Sequence, residues 1–145
     1  MSQLRGPTER WAAARVAANA RAHGLSGSVE YDDEVRARAV YGAEAGLSFF
    51  HTHAEGVGLI LFFASPLVAS AVPWRRARGA LHLLLTLGAL FPLGYLAYGV
   101  LVLELGRDAG IELAETWILT PLGGAVILGL LGLALALALA VRRGA

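Results

Sequence analysis

Two histidines and a glutamate interrupt an otherwise apolar run, LSFFHTHAEGVGLILFFASP, at His51, His53 and Glu55. An imidazole and a carboxylate four residues apart on a helix converge on one point, because positions i and i+4 share a face. The stripe is longer than the pair. Glu44, Ser48, His51 and Glu55 fall at i, i+4, i+7 and i+11, with Tyr41 three residues earlier. His53 points to nearly the opposite face. A histidine with carboxylates suits iron, zinc, manganese or copper, and an imidazole alone can be an axial haem ligand. Facing carboxylates and histidines on helices are also how di-iron sites are built inside bundles. Two other uses stay open. One is a structural polar cluster near a span end, where polar groups cost least, and the other a proton or ion path.

The elements that must position these groups are legible in the composition. The chain has 145 residues, 57% hydrophobic and 16% charged, against roughly 45–50% and about 25% in soluble domains. Residues 1–47 hold six of the twelve Arg and six of the eleven acids, so the remainder is membrane-like. A hydrocarbon core of roughly 30 Å takes about 20 apolar helical residues to cross. Three stretches meet that requirement: about 47–72, 80–105 and 116–141. They are continuously apolar rather than alternating, which indicates helices and not barrel strands. The fold class expected is all-α: an integral membrane helical bundle with three transmembrane helices and an N-terminal helical extension.

Short connections, 73–79 (PWRRARG) and 106–115 (GRDAGIELAE), make neighbouring spans antiparallel. Glu104 then returns to the membrane side of His51 and His53, and Asp108, Glu112 and Glu115 join it. The metal ligands expected are His51, Glu55 and Glu104, with His51 and His53 as haem contacts. His82 lies at the other side, roughly 25–30 Å away, and reads as an interfacial histidine. Each span holds one proline, Pro66, Pro92 or Pro121, where a helix loses a hydrogen bond and tends to kink.

His51-Thr52-His53-Ala54-Glu55-Gly56 resembles the H-x-x-x-E-G segment of the catalytic subunit in the nitric oxide reductase branch of haem-copper oxidases. The resemblance implies that His51 and Glu55 help hold a non-haem iron. It covers six residues. That family's paired histidines and proximal haem histidine have no counterpart in the other spans, and twelve helices do not fit in this length.

The first 31 residues form a separate zone, and 32–145 the membrane domain. Pro7-Thr8-Glu9 reads as a helix start with Thr8 as N-cap, Gly24 as a stop after His23, and 24–31 as a linker. His23 reads as a capping residue. Asp32-Asp33-Glu34 suits the start of a new helix, which nothing forces to break before Val72. The first 30 residues contain no apolar core, so no cleavable signal is expected.

Five Arg without an acid (Arg75, Arg76, Arg78, Arg142, Arg143) mark one end of the spans. The positive-inside rule puts that end in the cytoplasm of a bacterial inner membrane and the N-terminus outside. Gly42 and Gly46, with the glycines of the second and third spans, permit close helix approach. A homo-oligomer or contact with other membrane subunits is therefore expected, with the faces around Gly94 and Gly129 as the interface.

Several classes fall away. The chain has no Cys, which excludes disulfides, thiolate metal sites and cysteine nucleophiles. A net charge of +1 gives no basic surface for nucleic acid. Ser26, Ser28 and Ser48 lack a nucleophile-elbow context, and no phosphate-binding glycine motif is present. Two functions remain: a redox or gas-linked protein binding a transition metal (iron, copper or zinc) or haem, and a non-catalytic membrane subunit or assembly protein.

Overall fold

The computed structural model describes residues 2–143, and nearly all of them are helical, with no strand among them. Helix α1 spans Ser2–Ala18 and α2 Val29–Ala71. Next come α3 (Arg75–Ala89), α4 (Phe91–Leu105) and α5 (Arg107–Ala114). A π-helical segment, Glu115–Leu119, leads directly into α6, Thr120–Arg142. Three rods result: α2, the pair α3–α4, and the run α5–α6. Each contains a stretch long and apolar enough to cross a membrane. The all-α bundle is present.

Helix α2 has 43 residues, about 65 Å of rise, so it exceeds a bilayer core by a wide margin. It runs unbroken through Pro66, as its uninterrupted sequence suggested. Small residues set how it packs. A Cβ added at Gly46 would lie 2.8 Å from the Tyr95 carbonyl oxygen, and one at Gly99 would lie 3.2 Å from that of Ala43. The α2 and α4 backbones therefore touch, antiparallel.

The third rod packs along the second in the same way. A Cβ at Gly88 would come within 2.6 Å of Val126, one at Gly94 within 2.7 Å of Leu119, and one at Gly129 within 3.1 Å of Leu85. Gly94 and Gly129 are therefore spent on packing inside the chain. The expectation that their faces meet a partner gives way for this reason. One apolar core, including Val68, Val72, Leu81, Leu85 and Leu133, lies at the 72–75 end. A second joins Ala12 and Val16 of α1 to Ala39 and Leu103 at the opposite end.

Several boundaries differ from the expected ones: α1 stops at Ala18 rather than at Gly24, and α2 starts at Val29 rather than at Asp32. The connection expected over 106–115 is Gly106 alone, and α5 follows at once. Its acids Asp108 and Glu112, with Glu115 just beyond it, face outward, while Gly110 and Ala114, four apart, are buried on α4. The turn expected over 73–79 is only 72–74, since α3 begins at Arg75. The second span breaks at Leu90, and Pro92 sits in the first turn of α4, where its missing N–H forfeits little. Finally, α1 begins before Thr8 and includes Pro7 in its second turn, where the missing N–H removes one backbone hydrogen bond.

Trp74 and Trp117 mark two levels. Carrying the α3–α6 register (Gly88 at Val126, Leu81 at Gly132) to its end sets Trp74 near the level of Leu139. The rise from Trp117 to Leu139 is roughly 33 Å, close to the thickness of a hydrocarbon core. Trp74 stacks under the Arg143 guanidinium at 5.2 Å. Trp117 is exposed on the bundle surface.

Candidate functional site

Helix α2 positions His51 and Glu55 as the sequence spacing requires. His51 Nε2 lies 3.2 Å from Glu55 Oε1, and the two side chains are 71% and 72% exposed. They occupy the face of α2 opposite the one packed through Gly46, Val57, Ala64 and Val68. Ser48 and Gly58 are exposed on the same side. Among the described residues, neither His51 nor Glu55 has another hydrogen-bond or ion-pair partner.

His53 stands apart. Its Nδ1 lies 2.8 Å from the Phe49 carbonyl oxygen of the preceding turn. The ring sits in the α2–α4 seam, 4.6 Å from the Tyr95 ring and 5.4 Å from that of Phe91. It is aromatic packing on the far side of the helix from His51.

Glu104 is also separate from the pair. The α2–α4 register, Gly42 at Val102 and Gly46 at Tyr95 and Gly99, sets Glu104 near the level of Val40. The rise from Val40 to His51 is roughly 16 Å, too far for one ion. Glu104 instead accepts hydrogen bonds from Arg15 Nε at 2.7 Å and Arg15 Nη2 at 2.5 Å. Asn19 Nδ2 donates to Glu104 Oε2 at 3.0 Å, and His23 Nε2 lies 2.9 Å from the Leu103 carbonyl oxygen. Arg15, Asn19 and His23, spaced four apart, thus bind the C-terminal end of α4. That end carries unpaired carbonyls and partial negative charge, which donors and cations satisfy. His23 is a cap, but of α4 rather than of its own helix. Hydrogen bonding to Glu104, and then its charge, holds the Arg15 guanidinium above its ordinary pKa.

Among the described residues, no three His, Asp or Glu side chains gather where they could hold a metal ion. Asp32 is a second polar feature that spacing alone did not reveal. Only 7% exposed, it accepts from the backbone N–H of Ser26 at 2.8 Å and of Gly27 at 3.0 Å. It therefore ties the 24–28 turn to α2, with Gly24 and Gly27 at positive φ. The acid triplet read as a helix start supplies this tether one turn inside the helix.

An apolar groove of about 210 Å³ runs under α1, between Trp11 and the α2–α4 seam at Ala43, Leu47, Leu96 and Gly99. Glu44 and Leu47, seven and four residues before His51 on the same side of α2, also line it. No protein-family model, curated protein or solved structure matches the chain.

Proposed function

We propose that this chain is a small integral membrane protein that binds a transition metal or haem through His51 and Glu55 near one membrane face, in redox or gas-linked chemistry. The observation that carries the reading is the His51–Glu55 pair itself, 3.2 Å apart and otherwise unpartnered. His51 lies beside the level of Gly94, which packs against Ile118 and Leu119, and so within about one turn of Trp117. Glu55, one turn further along, lies about 6 Å deeper. If the two Trp levels bracket the bilayer core, Glu55 is an ionisable group on a lipid-facing surface, where such groups serve a partner or a ligand. A cation supplies Lewis acidity or electron transfer there, and a neutral imidazole with a carboxylate is a donor set for iron, copper or zinc.

In this reading the membrane is a bacterial inner membrane. The Arg-rich start of α3 (Arg75, Arg76, Arg78) and the α6 end face the cytoplasm, and α1 with the His51–Glu55 pair faces outside.

A second reading, a non-catalytic subunit or assembly protein of a larger complex or homo-oligomer, is favoured by the same uncovered face. Below Glu55 that face continues with exposed Leu59, Phe62 and Phe63. Visible absorption and metal analysis of the purified protein separate the two readings. His51→Ala and Glu55→Ala should each remove the metal or the Soret band while the protein stays inserted. Colourless, metal-free protein whose variants behave as the parent overturns the metal reading and leaves the subunit reading.

A further inference from the structure

We propose that His51 and Glu55 are half of a metal site that a second copy of this chain completes, one divalent transition cation being held by the His51–Glu55 pairs of two chains. The proposal deepens the metal reading above and rests on it.

The donor count leads to it. One chain supplies two donor groups at this point, His51 Nε2 and Glu55 Oε1. Glu104 is engaged by Arg15 and Asn19, and His53 faces the α4 aromatics. A closed zinc-type site takes four ligands in a tetrahedron. Two copies supply two imidazoles and two carboxylates, a set that suits Zn²⁺, Fe²⁺ or Co²⁺.

The face that carries the pair permits the approach. Ser48, three residues before His51, and Gly58, three after Glu55, flank it on that face, and both are exposed. A Cβ built at Gly58 meets nothing within 4 Å. Short side chains let two membrane helices close to the lower end of the 8–10 Å range, roughly 8 Å between axes. Ligand atoms from both helices then reach a common ion at about 2.0–2.2 Å.

Charge selects what lies between the helices. A two-fold axis along the bilayer normal puts identical residues at equal depth, so each Glu55 meets its counterpart. Two carboxylates at an apolar depth repel, and a cation between them compensates both.

The test uses the full chain in detergent, stripped with a chelator and titrated with Zn²⁺, and with Co²⁺ as a spectroscopic probe. Metal per chain and molecular mass are measured together. The expected result is one metal per two chains, with monomer converting to dimer on metal addition and reverting on chelation. Gly58→Leu retains both ligands but blocks close approach. It should keep its helical circular dichroism, stay monomeric, and bind Co²⁺ at least tenfold more weakly. One metal per chain, or a Gly58→Leu chain that binds as the parent does, overturns the shared site and leaves His51–Glu55 as a metal site within one chain. No bound metal at all overturns the metal reading and the shared site with it.

Discussion

Arg15 and Glu104 are joined by a two-pronged ion pair, with Nε and Nη2 of the guanidinium each donating to a different carboxylate oxygen. The fork matches the carboxylate geometrically and fixes orientation as well as distance. It secures α1 to the end of α4, where Asn19 and His23 add further donors to the same terminus. Val16 and Ala12, buried against Ala39 and Leu103, supply the apolar part of the contact.

Removing the fork should release α1 without unfolding the bundle. Arg15→Ala and Glu104→Gln should each speed hydrogen exchange and proteolysis across residues 6–28, with the rods unchanged. Unaltered protection in both variants would show that the apolar contact suffices alone. Glu104 raises the Arg15 pKa, so the guanidinium's contribution is fully present below its ordinary value and is lost only as pH rises through the raised one. Alkaline titration in the range the protein survives should therefore leave α1 docked.

Glycines with backbone against them should be intolerant, and open ones indifferent. A Cβ at Gly110 would lie 2.6 Å from the Leu101 backbone, whereas one at Gly124 meets nothing. Gly110→Ala should lower stability by roughly 1–3 kcal/mol through forced separation of α4 and α5. Gly124→Ala should be neutral, or stabilising by up to about 1 kcal/mol from helix propensity. Thermal or denaturant unfolding in detergent reads both, and equal behaviour of the two variants would refute the close approach.

Asp32→Ala should leave the Ser26 and Gly27 N–H groups without their acceptor. Losing a buried acceptor costs about 1–3 kcal/mol. The loss should appear first as faster exchange at Ser26 and Gly27. Protection there that survives the substitution would mean another acceptor serves those groups.

Three spans long enough to cross a bilayer should resist extraction by carbonate or high salt and yield only to detergent. A C-terminal reporter should be active in the cytoplasm. Activity only outside would reverse the orientation and move the His51–Glu55 pair to the inner face.

The rods were legible because hydropathy over 20 residues is a local property of the chain. The 106–115 segment was not, because its outward acids mask a helix; its signal was the four-residue spacing of Gly106, Gly110 and Ala114. The His51–Glu55 contact follows from spacing within one helix and could be read directly. Glu104 could not be assigned that way. Its partner Arg15 is 89 residues away, and shared membrane side says nothing about the roughly 16 Å of depth between Glu104 and His51. The i, i+4, i+8 pattern of Arg15, Asn19 and His23 was visible, but what it binds is set by tertiary structure.

The single-residue link at Gly106 has a mechanical consequence. Its φ is +84°, and a Cβ there would lie 2.5 Å from the Ala22 carbonyl oxygen, so the joint is seated against another backbone and has no slack in length. The second and third rods cannot slide past each other at that end; they can only pivot about it. The far end is closed as well, by the core of Val68, Val72, Leu81, Leu85 and Leu133 and by Arg143 over Trp74. The two rods are thus clamped at both ends, and any rotation begun at Gly106 is taken up along their length, where the second rod is interrupted at Leu90.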